Sequence, residues 1–177
     1  GKNKYIGNVV QHICHKDDPS QDILEVAAGF DIYPEFPEEA IKQAEELPNE
    51  VLDSDYKGRT DLCDKIIFTI DGIDTNDIDD AIGLEREDND YILRVCIADV
   101  SYYVEQGSPL DEEALTRGTS SYLAGRVIPM LPHKLSNGIC SLNPCEKRCA
   151  MTCEMKINSR GKVIASSIYP SIIKSAK

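Results

Sequence analysis

Five aspartates lie within ten residues of one short segment, FTIDGIDTNDIDDAI, which spans residues 68–82. They are Asp71, Asp74, Asp77, Asp79 and Asp80. Two like charges ~4 Å apart repel by ~4 kcal/mol at an effective dielectric of about 20, so such a cluster is unfavourable unless a cation or a proton offsets it. Carboxylate oxygens are hard ligands that favour Mg²⁺, Mn²⁺ or Ca²⁺ over Zn²⁺. The cluster therefore predicts a divalent-cation site.

A calcium loop of the EF-hand type does not fit this spacing. A loop that starts at Asp77 places Ile82 at the sixth position, where glycine is required, and Asp88 at the twelfth, where glutamate is expected. A pair of Mg²⁺ ions, roughly 3.5–4 Å apart, instead needs several carboxylates and can hold the attacking and leaving oxygens of a phosphoryl transfer. Asp77 and Asp79, two residues apart, would project to one side of an extended backbone and Asp80 to the other.

A solvated acidic turn is the alternative interpretation of the same segment. Isoleucines and an alanine alternate with the acids, and we expect them to draw the segment toward the core. These residues are Ile70, Ile73, Ile78, Ala81 and Ile82.

The surrounding sequence predicts an α+β fold, a mixed β-sheet with flanking helices. Helices are indicated at residues 19–29, from Pro37 to Pro48, and from the cap at Ser108 to Gly118. Strands are indicated at residues 4–14, 65–70, 81–85, 91–100, 150–157 and 162–173. The acidic cluster would thus lie in a loop between two buried strands. Residues 120–144 are rich in Pro, Gly, Asn and Ser and are expected to be irregular, and long irregular segments are often functional.

Composition limits the class of protein. The 177 residues are 41% hydrophobic, enough for one ordinary domain or for one domain and a fragment. The sequence contains no membrane-spanning apolar run and no signal peptide, which favours a cytoplasmic location. An odd number of cysteines, seven, without an export signal indicates reduced thiols.

The charge is unevenly distributed. The net charge of −12 by itself disfavours a nucleic-acid partner, because phosphate binding depends on Lys and Arg. However, residues 1–90 carry 24 acids against 8 bases, whereas residues 91–177 carry 7 acids against 11 bases. An acidic half of the sequence is therefore joined to a basic half. Two solvent-exposed surfaces of opposite charge, without a role in binding, would also explain this uneven distribution.

Two long motifs resemble the catalytic (RNB) domain of the ribonuclease II and ribonuclease R family, and are most similar to the ribonuclease R type. They are TIDGIDTNDIDDAI and IADVSYYVEQGSPLDEEALTRGTSSYLAGRVIPMLPHKLSNGICSLNP, and the similarity runs from about Glu35 to the end of the sequence. Residues 1–30 resemble the last strand of a cold-shock (OB) domain and the linker helix after it. Residues 31–177 would then be the N-terminal half of a truncated catalytic domain.

The resemblance implies a processive, hydrolytic 3′-to-5′ exoribonuclease that releases nucleoside 5′-monophosphates. It implies that Asp71, Asp77, Asp79 and Asp80 are the four active-site aspartates that hold Mg²⁺, with Mn²⁺ as a substitute, and that Asp74 is not one of them. It also implies that Tyr122 stacks near the 3′-terminal nucleotide of a single-stranded RNA, an interaction that tolerates any base. Neither a small-molecule cofactor nor a membrane partner is expected.

Two parts of the family's catalytic machinery do not match any residues in this sequence. They are the second half of the domain, with its catalytic arginine and RNA clamp, and the C-terminal S1 domain. An arginine of that kind stabilises transition-state charge, so the 177 residues alone are expected to be weakly active or inactive. The local bases expected to contact RNA are Arg117, Arg126, Lys134 and Arg148, although ordinary surface charge would explain them too. A non-catalytic RNA-binding module, stabilised by a divalent metal, is the alternative function.

The cysteines raise one further possibility. Cys140, Cys145, Cys149 and Cys153 have the number of thiols that a zinc ion or an iron–sulfur cluster needs, but their spacing lacks a C-x₂-C pair. Packing is the favoured interpretation for them. It is also favoured for His12 and Cys14, because two ligands are too few for a site.

Overall fold

A five-stranded mixed β-sheet forms the centre of the computed structural model, which describes residues 6–9 and 12–176. The strands along the chain are β1 (Thr60–Asp61), β2 (Asp80–Glu87), β3 (Asp90–Ala98), β4 (Ser121–Leu123), β5 (Arg126–Ile128), β6 (Lys147–Ile157) and β7 (Val163–Lys174). The sheet order is β1-β7-β6-β3-β2, in which only the β1–β7 pair is parallel, and β4 and β5 form a separate antiparallel pair. The predicted α+β class with a mixed sheet is confirmed.

Helices flank this sheet. They are α1 (Gln21–Ala28), α2 (Glu38–Glu46), α3 (Val100–Tyr103) and α4 (Pro109–Arg117), with a 3₁₀ turn at Asp53–Tyr56 and a π-helical turn at Lys134–Ile139. The three predicted helices are confirmed as α1, α2 and α4. At the start of α4 the Ser108 Oγ accepts the Asp111 N–H at 3.3 Å, and Gly118 ends the helix with φ +71°. Both ends of α4 thus follow from local capping chemistry.

Two hairpins hold most of the sheet together. Strands β2 and β3 pair from Asp80 opposite Ile97 to Glu87 opposite Asp90, close to the predicted boundaries. Strands β6 and β7 are joined by a turn in which the Asn158 Oδ1 accepts the N–H groups of Arg160 and Lys162, both at 3.0 Å. These local turns explain why both hairpins could be predicted.

Two clusters of buried residues pack around the sheet. The first cluster includes Ile78, Ala81 and Leu142, and the second includes Leu135 and Ile139. The aspartate-rich segment and the segment after the π-helical turn are therefore both attached to the interior. This arrangement brings residues about 65 positions apart into contact.

Two predicted strands are wrong. Within the described part of residues 4–14, namely 6–9 and 12–14, no strand forms, and residues 4, 5, 10 and 11 lie outside the described residues. A strand needs a partner to satisfy its backbone groups, and these residues pair with none of the described ones.

Residues 65–70 likewise form only an isolated bridge, Phe68 opposite Ile82. The backbone hydrogen bonds of residues 65–70 are divided between β2 and the residues after β7. Phe68 pairs with Ile82 of β2, whereas the Ile67 C=O accepts the Ala176 N–H at 2.7 Å. One side of the aspartate loop is therefore a strand, β2, and the other is not.

The segment 120–144 is more ordered than its composition predicts. It contains the short hairpin of β4 and β5 and the π-helical turn. Gly125, with φ +73°, provides the left-handed backbone conformation between the two short strands.

Among residues 6–9 and 12–176, the model contains no helix with the length and apolar character needed to cross a membrane.

Candidate active site

The backbone around Asp77, Asp79 and Asp80 is fixed from two sides. The Ile78 C=O accepts the Leu142 N–H at 2.9 Å, and the Ile78 N–H donates to the Ser141 Oγ at 3.0 Å. One residue further, the Asp79 C=O accepts the Ala98 N–H at 2.9 Å, and the β2 ladder begins at Asp80. The acidic side chains therefore project from a backbone held by main-chain hydrogen bonds.

Buried neighbours decide where these aspartates point. Ile78 and Ala81 are buried, whereas Asp79 and Asp80 between them are both exposed and Asp77 is half-buried. In a regular strand, successive side chains point to opposite faces, so Asp79 and Asp80 would lie on different faces. This alternation is interrupted here, because the regular pairing of β2 starts only at Asp80. The interruption leaves both carboxylates accessible.

The charges of the four predicted ligands act on one another. The pKa of the Asp79 carboxyl is raised, first because partial burial removes water from it, and then because of the negative charges of Asp77, Asp80 and Asp71. Both effects disfavour the ionised carboxyl, and a bound cation would favour it. An all-carboxylate donor set with this mutual repulsion fits a hard cation such as Mg²⁺.

The first part of the segment is a solvent-exposed turn, closed by the Thr75 N–H donating to the Gly72 C=O at 3.0 Å. Asp71 and Asp74 are exposed there. The expectation that the isoleucines bury this part is wrong for Ile70, which is 78% exposed, and for Ile73, which is fully exposed. The reason is the turn itself, which directs side chains to solvent before the chain reaches the core at Ile78.

A groove of about 840 Å³ runs beside this turn. Asp71, Asp74 and Asp77 line it together with Tyr122 and Val127. Within the predicted site, Asp71, Asp77 and Tyr122 therefore face one space.

Tyr122 contacts the acidic cluster directly. Its hydroxyl donates a short hydrogen bond to the Asp77 Oδ2, while 66% of the residue remains exposed. That hydrogen bond is the main reason that the pKa of Tyr122 is raised to about 12, because ionisation would place a second negative charge beside the carboxylate. The exposed ring remains available for stacking.

Three of the four local bases are used within the fold. Arg117 donates from Nε to the Glu113 carboxylate at 2.7 Å and from Nη1 to the Pro129 C=O at 3.2 Å, and its guanidinium lies 3.7 Å from the centre of the Phe36 ring. The Arg117 Nη2 also donates to the Glu35 C=O. Because these contacts occupy its guanidinium, the structure does not support the prediction that Arg117 contacts RNA.

Arg148 and Lys134 are similarly occupied. Arg148 is buried, with Nε donating to the Ser141 C=O at 2.8 Å, and Lys134 donates to the Glu45 C=O at 2.8 Å. Arg126 differs, because it is exposed and its guanidinium makes no hydrogen bond or ion pair with any residue that the structure describes. Arg126 is thus the base of this group best placed for a phosphate.

Of the polar groove residues that were not predicted as site residues, three come from outside the aspartate segment: His133, Ser136 and Asn137. They lie at the π-helical turn, inside the irregular segment whose composition did indicate function. Side-chain type alone gave no reason to select them from that segment.

No three or more His, Cys, Asp or Glu side chains among residues 6–9 and 12–176 are grouped closely enough to form a preassembled metal site. This applies both to the aspartates and to the cysteines. Cys140 and Cys149 pack in the second buried cluster, and burial raises the pKa of the Cys140 thiol to about 12, which disfavours a metal-binding thiolate. Cation binding by the aspartates stays a prediction.

Comparison with known proteins identifies the family. A family model described as the RNB domain matches residues 59–177. Ribonuclease R 1 of Lactococcus lactis is 51% identical over 172 residues, which are 97% of this chain and 21% of that protein. The chain thus spans about a fifth of the length of this relative.

Two solved structures are similar to the fold. Mycoplasma genitalium RNase R, in complex with ribose-methylated single-stranded RNA, has a TM-score of 0.85 and 34% identity, covering 93% of this chain and 26% of that one. Yeast Ssd1, described as a pseudonuclease, has a TM-score of 0.75 but 16% identity, covers 91% of this chain and 21% of its own, and shows the fold alone. On the match to residues 59–177 and the identity to ribonuclease R, the chain belongs to the RNB-domain family.

Proposed function

We propose that this chain is part of a hydrolytic 3′-to-5′ exoribonuclease that degrades single-stranded RNA to nucleoside 5′-monophosphates. The observation that carries the proposal is one groove in which carboxylates of the aspartate cluster face an exposed tyrosine ring. The relatives named ribonuclease R and the RNA-bound structure of one of them support the same assignment. The activity is proposed for the protein at its full length.

The proposed ligands for Mg²⁺, or for Mn²⁺ in its place, are Asp71, Asp77, Asp79 and Asp80. When bound, such an ion would supply electrostatic stabilisation of the charge that develops on the phosphoryl oxygens. The pKa of Asp79 is raised by desolvation and then by the charges of Asp77, Asp80 and Asp71, and a bound cation would oppose both effects. Either Asp79 or Asp80, both exposed but neither part of the groove lining, would orient the attacking water.

Substrate binding in this proposal depends on Tyr122 in the groove and on Arg126, which precedes the groove residue Val127 in β5. The Tyr122 ring would stack on the base nearest the 3′ end, which holds a strand without reading its sequence. Arg126, which is free of partners among the described residues, would contact a phosphate. A volume of about 840 Å³ lies within the range typical of small-ligand sites.

A non-catalytic RNA-binding module is the second candidate. It is favoured by one observation, the structural similarity to a protein described as a pseudonuclease, because this fold occurs there too. Fold alone therefore does not decide between chemistry and binding.

The test compares two substitutions in the same loop of the full-length protein. Asp79→Asn removes the charge of a proposed ligand, and Asp74→Asn removes the charge of an exposed groove residue outside the proposed set. We expect Asp79→Asn to slow the release of nucleotides from a labelled single-stranded RNA by at least about a hundredfold, the usual order for a group that stabilises transition-state charge. RNA affinity should persist, and Asp74→Asn should stay within a few-fold of wild type. Unchanged degradation by Asp79→Asn would refute the catalytic assignment of this aspartate, whereas a wild-type protein that binds the RNA without degrading it would favour the binding module.

A further inference from the structure

Ser141 is a fully buried polar residue that follows the π-helical turn. Its own backbone is held in place, because its C=O accepts the Arg148 Nε–H at 2.8 Å and its N–H donates to the Gly138 C=O at 3.0 Å. A buried hydroxyl needs hydrogen-bond partners, and the two nearest to the Ser141 Oγ lie 63 and 65 residues away in sequence, with the Asn143 Oδ1 a third, more distant acceptor at 3.2 Å.

Both partners flank Asp77. The Ser141 Oγ accepts the Ile78 N–H at 3.0 Å and donates to the Asn76 C=O at 2.8 Å. These two groups belong to the peptide planes on either side of the Asp77 Cα, and φ and ψ of Asp77 are the rotations of those planes. A single oxygen bonded to both planes therefore restrains both dihedral angles of Asp77.

We propose that Ser141 is a positioning residue: its hydroxyl fixes the backbone of Asp77 and thereby sets the direction of the Asp77 carboxylate in the groove. This inference rests on the proposed function, in which Asp77 is a cation ligand. Asp77 is half-buried at the groove, and its carboxylate also accepts a hydrogen bond from the Tyr122 hydroxyl. The direction of the carboxylate is therefore set by one hydrogen bond to the side chain and by two to the peptide groups that flank Asp77.

A hydrogen bond from the next residue, Leu142, allows the effect of Ser141 on Asp77 to be separated from the attachment of Ile78 to the core. The Leu142 N–H donates to the Ile78 C=O at 2.9 Å, which fixes the peptide after Ile78 but neither peptide of Asp77. Removal of the Ser141 hydroxyl should therefore loosen Asp77 while Ile78 stays attached to the core. Ligand groups need to be held closely to the productive geometry, so a looser Asp77 should bind a cation more weakly.

The experiment compares Ser141→Ala with Ser171→Ala in the full-length protein. Ser171 is also fully buried, and its hydroxyl is bonded to the Thr152 Oγ1 at 2.6 Å and to the Ala150 C=O at 3.2 Å, both within the sheet. One readout is hydrogen exchange of peptides that cover residues 76–82, measured by mass spectrometry. The other is Mn²⁺ binding to the RNA-free protein, measured by calorimetry.

We expect Ser141→Ala to accelerate exchange in residues 76–82 and to weaken Mn²⁺ binding by roughly two- to tenfold, the effect of losing an ordinary hydrogen bond. Ser171→Ala should change neither. If Ser141→Ala lowers the Tm far more than Ser171→Ala, Ser141→Cys keeps a side chain of similar shape with only weak hydrogen bonding and should give the same changes.

Exchange equal to wild type in both Ser141 variants would overturn the restraint on Asp77. Faster exchange with unchanged Mn²⁺ affinity would overturn the positioning role, since Ser141 would then be structural only. A wild-type protein that binds no Mn²⁺ would instead refute the proposed function, and the exchange comparison would still decide whether Ser141 restrains Asp77.

Discussion

Tyr122 offers two separate interactions, and two substitutions distinguish them. Its hydroxyl binds the Asp77 carboxylate, and its ring is 66% exposed in the groove. Tyr122→Phe removes the hydroxyl and keeps the ring, whereas Tyr122→Ala removes both. If the ring stacks on RNA, the two variants should differ in RNA affinity.

The expected sizes differ enough to be measured. Stacking of a base on an aromatic ring is worth ~1–3 kcal/mol by alanine substitution, so Tyr122→Ala should weaken RNA binding by roughly five- to 150-fold. A hydrogen bond to a charged group contributes ~1.5–3 kcal/mol when it is buried. Solvent screens an exposed one, so we expect Tyr122→Phe to weaken RNA binding by about 0.5 kcal/mol, or roughly two- to threefold. Neither variant should change the free energy of unfolding by more than ~0.5 kcal/mol, because the side chain is largely exposed.

The assay is fluorescence anisotropy with a 5′-labelled single-stranded RNA at one fixed salt concentration, because phosphate contacts make affinity depend on salt. Both variants are made in the Asp79→Asn background, which is expected to keep the RNA intact. If Tyr122→Phe loses as much affinity as Tyr122→Ala, the hydroxyl and not the ring would be the group that matters for RNA. If neither variant loses affinity, the stacking role is refuted.

Two predictions concern stability and can be checked by urea unfolding. Gly83→Ala should lower the free energy of unfolding by about 1–3 kcal/mol, because the added Cβ would lie 3.0 Å from the Ile66 carbonyl oxygen. Gly72→Ala is the control and should have little effect, because its Cβ would meet only the Thr75 side-chain oxygen at 3.4 Å. Equal losses of stability in the two variants would contradict this reasoning. The pKa of Glu85 is lowered, first by its hydrogen bond with Arg94, so its contribution to stability is complete above its ordinary pKa of 4.5 and is lost as pH falls through the lowered value. Glu85→Gln should therefore destabilise the protein at pH 7 and much less at pH 3, and an equal effect at both pH values would count against it.

Local patterns were sufficient to predict the parts of the fold that depend on neighbours in sequence. The helix α4 has its cap and its terminal glycine, and the β2–β3 pair has its alternation and its acidic turn. Residues 65–70 show the limit of such patterns, because a β-branched composition does not supply a partner strand. At Gly83 the chain of residues 65–70 approaches β2 too closely for a side chain, and nothing in the local sequence indicates that crossing.

The site was predictable in its acids and not in its supporting contacts. A dense set of aspartates is visible in the sequence, but the bond from Tyr122 to Asp77 and those between Ser141 and the peptides that flank Asp77 connect residues 45 or more positions apart. Charge was equally incomplete as a guide to the bases. Arg117 and Arg148 count as positive residues in composition, yet backbone carbonyls and carboxylates occupy their guanidinium groups.

The structure also changes the physical account of why the chain tolerates so many acids. The apolar neighbours of the aspartates predicted that the segment is drawn toward the core, where a cation or a proton would have to offset the repulsion. Instead, Ile78 and Ala81 alone enter the first buried cluster, and most of the carboxylates remain in water, where repulsion at ~4 Å falls to about 1 kcal/mol. The segment is therefore held by hydrophobic burial, by the hydrogen bond of the Ile78 N–H to the Ser141 hydroxyl, and by the N–H groups of Leu142 and Ala98, which donate to its backbone. Because these contacts hold the backbone without using the carboxylates, a cation would bind to a backbone already in position, which is the arrangement that favours affinity and catalysis.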